Sequence, residues 1–432
     1  MKIQINDNYP FNNITDNTLE CDEGTAFFLN SLNERYKEKL PKTTKVLNAN
    51  EVAKILGVNE GIKIVGITGT NGKTTTAAAI YSILLDLDKR VALQGTRGFF
   101  INEKRVKPKG LTTPLALETM ANIVEAKEEG CEFFIMEVSS HAIAQRRIEG
   151  LRFALKILTN ITQDHLDYHK TLEEYIKVKS SFFGDESLKL INKDETKIEY
   201  NPVNARTYGI ENPATYKVLA YALEEDGISA AFAKINKVYE FFTPLHGFFN
   251  LYNILCAISG IDMLQVASLE EICEAVEGFG GVSGRMEIVS QNPLVIVDFA
   301  HTPDGMQKVL ESMKDRDLVV LFGAGGDRDR NKRAKMGMVA SRFAKKIVIT
   351  SDNPRSEEPE KIIEDILKGV NKRENLIIEP DRKEAIKKAL KWQKEGEVVM
   401  ILGKGDEEYQ EIKGEKIPFS DKEIVLENLQ KQ

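Results

Sequence analysis

The apolar run Lys63 to Thr68 turns through Gly69-Thr70-Asn71-Gly72 and enters a helical pattern that begins at Lys73 and fades near Leu87. A strand, a glycine-rich turn and an amphipathic helix in that order narrow the fold more than any other segment, because they call for a buried parallel strand covered by a helix. Successive backbone N–H groups in such a turn, backed by the helix N-terminus, surround an anion. Lys73 is placed to neutralise the outer phosphates of a nucleotide, and Thr74 to bind magnesium. The usual GxxxxGK[ST] spacing asks for glycine at position 67, where Ile67 stands; the glycines fall at Gly66 and Gly69. The loop is therefore a variant. A plain glycine-rich turn in a sugar- or dinucleotide-binding sheet is the bland alternative, against which Lys73-Thr74 at a helix start favours phosphate.

Other apolar runs extend this unit. Phe133 to Val138 and Leu155 to Thr159 read as buried strands of the same sheet, and Leu188 to Pro244 alternates in a way that predicts further strands appended to it. After Arg285 a second α/β set begins, with strands expected near Val295–Phe299, Leu318–Phe322, Lys346–Thr350 and Val398–Leu402. The first 60 residues are polar and weakly periodic, with an acidic stretch from Leu19 to Gly24, and are expected to form a small domain of their own. The 432 residues, at roughly 100 to 200 per domain, divide into three α/β domains: 1–60, 61–284 and 285–432.

Composition limits the partners. Hydrophobic residues at 42% and charged residues at 29% describe a globular chain with a sizeable core. A net charge of -7 offers no general attraction to nucleic acid or an anionic membrane, so a bound phosphate must be held locally. The opening MKIQINDNYPF has no basic-then-apolar pattern, and no segment approaches the roughly 18 apolar residues of a membrane span. The expectation is a cytoplasmic monomer that takes small molecules, with no nucleic-acid partner and no membrane insertion. Cys21, Cys131, Cys256 and Cys273 are far apart and form no CxxC pair, so neither zinc nor a disulfide framework is indicated.

Two further patterns carry chemistry. Glu137 ends an apolar strand, where an acidic group commonly stands near a nucleotide's metal ion, although many such acids are simply solvated. In the last domain Arg328, the stretch Asp352 to Arg355, and Gly403 to Glu407 each follow an expected parallel strand. Loops at the carboxyl ends of such strands converge on one crevice. Two arginines with Asp352 and Glu407 suit a ligand bearing both carboxylates and ammonium groups.

Taken together, TGTNGKTTT (68–76), MEVSSHAIAQRR (136–147), TNITQDHLDYH (159–169), HGFFNLYN (246–253), GRME (284–287), VDFAHTPD (297–304), GAGGDRD (323–329), SDNPR (351–355) and GKGDEEYQ (403–410) resemble the ordered signature of the Mur ligases. All 5 histidines, His141, His165, His169, His246 and His301, fall inside these segments. The resemblance runs from about residue 62 to the end.

It implies a nucleotide site for ATP at Gly69, Thr70, Asn71, Gly72, Lys73, Thr74 and Thr75, with Asn250 and Asn253 near the adenine and Arg285, Asp298 and His301 closing from the last domain. Magnesium is implied at Thr74, Glu137 and His165, and Lys179 matches a family lysine that is carbamylated; Lys73, His165 and Lys179 are thus the implied catalytic set. Thr112, Thr113, Ser139, Gln145 and Arg147 resemble the residues that hold a UDP-muramoyl dipeptide. The DNPR stretch resembles the diaminopimelate-adding members, which implies that Asp352, Asn353, Pro354 and Arg355, with Arg328, Gly403 and Glu407, bind meso-diaminopimelate. The implied reaction is ATP-dependent addition of that amino acid to a D-glutamate γ-carboxylate through an acyl phosphate, a step in peptidoglycan precursor synthesis. Asp406 stands where relatives commonly carry histidine. Before residue 60 the likeness is poor, and no uridine contacts carry over.

Rival readings are a lysine-adding Mur ligase, against which DNPR speaks, and a folylpolyglutamate synthase, against which Ser139 and Gln145 speak. A P-loop switch ATPase is the rival of another class; its GTPase form would carry an NKxD motif, which the chain lacks.

Overall fold

The computed structural model describes residues 1–5, 9–224, 226–371 and 374–430. Its amino-terminal part is a four-stranded sheet in the order Lys2–Gln4, Asn13–Thr15, Thr25–Phe28, Val46–Leu47. The helix Ala49–Leu56 follows, started by a reciprocal Asn48/Glu51 capping box and stopped by Gly57 at φ 60°. Ile14, Phe28 and Val52 from this part are fully buried in one apolar cluster with Ile64, Phe134 and Met136 of the next sheet. The small sheet thus sits directly on the larger one.

The larger sheet has eleven strands. Its parallel centre runs Lys189–Asn192, Phe153–Leu158, Lys63–Thr68, Phe133–Glu137, Val91–Gly95. Ala205–Gly209 and Tyr216–Leu223 continue in parallel beyond Lys189–Asn192, and antiparallel strands Ile228–Lys234 and Lys237–Thr243 close that side. On the other side the antiparallel strands Gly98–Ile101 and Lys104–Lys107 form the edge. Both strands of this pair are short, and Lys104–Lys107 is charged and largely exposed, which hid the pair from the periodicity.

One face is covered by the helices Lys73–Asp86 and Phe248–Met263, which pack against each other. The second reads as apolar all round, and its buried positions include Leu251, Ile254, Leu255, Ile258 and Ile261, as a helix enclosed in a core must. Lys63–Thr68 is central and flanked by parallel strands on both sides, so its carboxyl end, and those of Phe133–Glu137 and Phe153–Leu158, open on one edge of the sheet.

The carboxy-terminal sheet has six strands in the order Glu287–Gln291, Leu294–Asp298, Val398–Leu402, Leu318–Phe322, Lys346–Ile349, Leu376–Ile378. All neighbours are parallel except the first pair. Helices Pro303–Glu311, Asn331–Phe343 and Pro359–Leu367 cover one face, and Arg382–Trp392 with Asp421–Leu429 the other. The loops after Asp298, Phe322, Ile349 and Leu402 therefore emerge together.

Candidate active site

The phosphate loop is shaped by what surrounds it. Gly69 has φ 151°, and a Cβ there would lie 1.8 Å from Thr159 Oγ1; Gly72 has φ 81°, and a Cβ there would lie 2.3 Å from Asn253 Oδ1. Neither position admits a side chain. Asn253 Nδ2 donates to Asn250 Oδ1 at 2.9 Å, and Asn250 Nδ2 to the His246 carbonyl at 2.8 Å. The start of the helix Phe248–Met263 is thereby locked against the loop. On the other side Asn71 N donates to Asn160 Oδ1 at 2.9 Å, and Asn71 Nδ2 reaches Asp304 Oδ2 of the carboxy-terminal part at 2.9 Å.

Lys73 Nζ donates to the carbonyls of Gly69 and Thr70, each at 2.8 Å. Burial lowers its pKa, against the pull of Glu137 and Asp164. Thr75 is buried one residue beyond Thr74. Thr74 Oγ1 donates to Glu137 Oε2 at 2.9 Å; Glu137, 2% exposed, also accepts from Thr96 N at 2.8 Å and Thr96 Oγ1 at 3.2 Å. A hydroxyl and a carboxylate are thus paired at the helix start. Thr96 lies outside every recognised segment.

Lys179 is 1% exposed and donates to Thr68 Oγ1 at 3.1 Å and the Gly69 carbonyl at 2.9 Å. Burial, reinforced by the nearby Lys73 charge, lowers its pKa well below that of an ordinary lysine. It is a buried amine beneath the phosphate loop, and a surface lysine is excluded. Tyr175, below it on the same helix, holds Thr70 Oγ1 at 2.9 Å.

The histidines gather beside this loop. His141 lies 4.9 Å from His165 and 5.6 Å from His169, ring centre to ring centre, and His169 Nε2 meets Ser140 Oγ at 2.9 Å. His165, in the left-handed region at φ 54°, pairs with Asp164 at 3.4 Å. Burial pushes its pKa down to about 4, more than Asp164 restores. His141, His169, His246 and His301 are lowered as well, each chiefly by burial. A ring depressed below its ordinary 6.5 binds a proton in the unfolded chain before it does in the folded one. The part of the stability that the neutral His165 ring contributes is therefore fully present above about 6.5 and lost as the pH falls toward 4. Thermal unfolding followed across that window should show a falling midpoint, with a shallower fall in His165→Gln; identical slopes would contradict the assignment.

A third group lies on the far side of Glu137. Thr113 Oγ1 donates to the Glu137 carbonyl at 2.9 Å and accepts from Ser139 N at 3.0 Å. Arg147 Nη1 donates to the Thr113 carbonyl at 2.8 Å, and Arg147 Nε to Gln145 Oε1 at 2.9 Å. Thr112 Oγ1 meets Thr96 Oγ1 at 3.1 Å. All five residues expected on the acyl side are brought together, and Ser31 of the amino-terminal part joins them through the Gln145 carbonyl at 2.6 Å.

In the carboxy-terminal part Asp298 accepts from Met286 N and Ala300 N, each at 2.7 Å, while burial raises its pKa. Arg285 lies over the Phe299 ring at 4.2 Å, and His301 Nδ1 meets the Phe299 carbonyl at 2.9 Å. The amino-acid loops form one cluster. Asn353 Nδ2 donates to Glu407 Oε2 at 2.9 Å, and the fully buried Lys404 donates to Asn353 Oδ1 at 3.0 Å and Glu407 Oε2 at 2.7 Å. Arg355, at φ 52°, donates Nε to Glu411 Oε2 at 3.1 Å and Nη1 to the Gly326 carbonyl at 2.7 Å. Gly326 packs against the Pro354 carbonyl and Gly403 against Asp352 Oδ2, so neither admits a Cβ. Among the described residues Asp352 Oδ2 is buried without a hydrogen-bond partner. Burial raises its pKa, but Lys404 and Arg382 outweigh it and hold the carboxyl below its ordinary value.

Arg328 is exposed on the same loop cluster and is not part of this bonded set. Lys404 and Glu411 were not singled out from the sequence, although Lys404 lies inside the GKGDEEYQ segment. Arg382, paired with Asp421 at 2.7 Å and donating to the carbonyls of Ser351 and Leu402, supports two of the loops from behind and carries no motif.

The last-domain loops meet the segments around Arg97 and Lys109 of the larger sheet. Lys109 Nζ pairs with Asp406 Oδ2 at 2.7 Å and also reaches the Asp406 carbonyl, while Arg97 Nε lies 4.0 Å from the same carboxylate.

A central α/β sheet with a phosphate loop, followed by a second parallel sheet whose loops turn toward it, has a match among known families. A family model described as the Mur ligase middle domain matches residues 67–260, and one described as Mur ligase, glutamate ligase domain, matches 284–405. The chain belongs to the Mur ligase family. Within it, the chain is 55% identical over 416 residues to the UDP-N-acetylmuramoyl-L-alanyl-D-glutamate--2,6-diaminopimelate ligase of Wolinella succinogenes, covering 96% of each chain. A solved structure of a ligase of that name superposes with TM-score 0.67 at 28% identity, over 97% of this chain and 94% of that one. The folylpolyglutamate synthase of Mycobacterium tuberculosis, complexed with ADP and AMPPCP, superposes with TM-score 0.68 at 16% identity, over 82% and 91%, a likeness of fold alone.

Proposed function

We propose that the chain joins meso-2,6-diaminopimelate to the D-glutamate γ-carboxylate of UDP-N-acetylmuramoyl-L-alanyl-D-glutamate, with cleavage of ATP to ADP and phosphate, in peptidoglycan precursor synthesis. One observation carries this: the Lys73–Thr74–Glu137 phosphate end and the Asn353–Lys404–Glu407 cluster lie on facing sheet edges linked by Asn71–Asp304 and Lys109–Asp406. The residues proposed for the acyl side are bonded to the Glu137 strand end through Thr113.

Joining a carboxylate to an amine in water needs activation. The γ-carboxylate attacks the γ-phosphorus of ATP, the bond to the β-phosphate oxygen breaks, and an acyl phosphate and ADP form. A neutral amine of diaminopimelate then attacks the acyl carbon, and the tetrahedral intermediate expels phosphate as the C–O bond breaks. Lys73, at the rim of the loop beside the carbonyls of Gly69 and Thr70, is proposed to meet the outer phosphate oxygens. The loop N–H groups then stabilise the transferring group without reorganising. Closure of the carboxy-terminal part over the nucleotide excludes water from the acyl phosphate.

The donor set fits magnesium. Thr74 and Glu137 offer adjacent oxygens, and magnesium typically takes one or two carboxylates with phosphates and water making up its shell. Bound there, it would offset the charge that develops on the phosphate oxygens. His165, neutral at pH 7, and a carbamylated Lys179 are the further residues proposed to attend it.

Asn353, Glu407 and Arg355 are proposed to hold the distal amino-acid end of diaminopimelate. Arg355 is anchored through Nε and Nη1 to Glu411 and the Gly326 carbonyl, and its guanidinium is proposed to take a carboxylate of the ligand. Arg355→Ala should raise KM for diaminopimelate by about tenfold to a hundredfold and leave KM for ATP nearly unchanged; equal shifts in both would remove the arginine from the amino-acid site. The functional reading itself is tested by phosphate release from ATP and the UDP-muramoyl dipeptide, with meso-diaminopimelate, L-lysine or neither added. Release that depends on diaminopimelate is expected, and release with lysine alone would overturn the specificity. No described helix is long and apolar enough to cross a membrane; a cytoplasmic location and a monomeric state belong to the same proposal.

A further inference from the structure

Asp406 meets the rest of the molecule where its two large sheets come together. Its partner Lys109 is 297 residues away in sequence, in the other large sheet's edge region. Lys109 stands three residues before Thr112, and Arg97, the second cation, directly follows Thr96, which holds Glu137. Asp406 directly precedes Glu407. A single carboxylate thus ties the loop of the amine site to the two segments that shape the acyl and phosphate sites.

The tie lies at the junction of the two sheets. Gly284, at φ 69°, ends the connection into the carboxy-terminal part, and a Cβ there would lie 2.1 Å from Asp406 N and 2.6 Å from the Gly405 carbonyl carbon. The connecting backbone therefore rests directly on the 405–406 loop. The ion pair therefore joins the two sheets beside the segment where the chain passes from one to the other. Its Asp406 and Lys109 side chains are 12% and 25% exposed, so solvent screens it less than an open surface pair.

We propose that Asp406, through Lys109 and Arg97, is a positioning residue that sets the register between the amine-site loop and the acyl-site loops, so that the amine arrives at the acyl carbon. This rests on the ligase reading above. The role needs no contact between Asp406 and substrate. It predicts an effect on the step that uses both loops, and none on nucleotide binding.

The test uses the full chain and the phosphate-release assay on Asp406→Asn, Lys109→Gln, the double variant, and the charge-keeping Asp406→Glu, each with a thermal melt. Asp406→Asn and Lys109→Gln should each lower kcat/KM for diaminopimelate roughly threefold to fivefold, with KM for ATP and the melting temperature unchanged. The double variant should be no worse than the single ones, and Asp406→Glu should recover activity relative to Asp406→Asn. Single variants indistinguishable from wild type, losses that multiply in the double, or Asp406→Glu as slow as Asp406→Asn would each overturn the inference. A uniform rise in every KM with an earlier melt would reduce the contact to a structural one, and so also overturn it. Wild-type protein without diaminopimelate-dependent release would overturn the ligase reading and this inference with it. Active wild type with indifferent variants defeats the inference alone.

Discussion

Lys73→Met should cut ligation by about 10²-fold to 10³-fold, the range found when one donor to a developing anion is removed, and leave the fold as stable as before. The second half follows from the environment. Lys73 holds only backbone carbonyls, and burial lowers its pKa more than nearby carboxylates raise it. A charge held at a cost to folding is one whose removal does not destabilise the protein. Phosphate release and a thermal melt on the same sample check both halves. An early melt would mean that Lys73 is structural, and near-normal turnover would move the phosphate site elsewhere.

The next effect concerns Lys179. Its amine is buried and depressed well below the ordinary lysine value, so a neutral nitrogen is available to attack carbon dioxide. On the proposed reading a C–N bond forms, one proton leaves, and the amine becomes a carboxylate-like group beneath the phosphate loop. The hydroxyl of Thr68, which accepts from the amine at 3.1 Å, can donate to the new oxygens instead. Enzyme depleted of carbon dioxide at mildly acidic pH should lose most of its activity and regain it with bicarbonate. Lys179→Ala should be slower than wild type by about 10²-fold and indifferent to bicarbonate. Wild type that ignores bicarbonate after depletion would remove the carbamate from the account.

These two lysines also mark what a sequence can and cannot disclose. Lys73 was legible from its neighbours, because a strand, two glycines and a helix start are encoded within a few residues, and backbone geometry supplies the anion site. The strands Leu318–Phe322 and Val398–Leu402 fall where apolar runs predicted them. Lys179 was legible through resemblance alone: its helix looks like any amphipathic helix, and only tertiary packing shows that its amine points inward. Thr96 and Arg382 had no signal, since their roles come from partners distant in sequence, Glu137 and the carbonyls of Ser351 and Leu402. The hairpin was hidden because Gly98–Ile101 is only four residues long and nearly all buried, while its partner Lys104–Lys107 is an exposed charged edge with no buried face to alternate against. Asp406 was visible as a departure, while its meaning waited on Lys109.

Everything in the mechanism depends on the D-glutamate γ-carboxylate, and not water, attacking the γ-phosphorus of ATP. That is read directly by following oxygen: the UDP-muramoyl dipeptide is prepared with ¹⁸O in its γ-carboxylate, and the phosphate released during turnover with meso-diaminopimelate is analysed by mass. The account predicts that the phosphate carries one labelled oxygen from the carboxylate. Phosphate without label, with the isotope retained in the product, would contradict it.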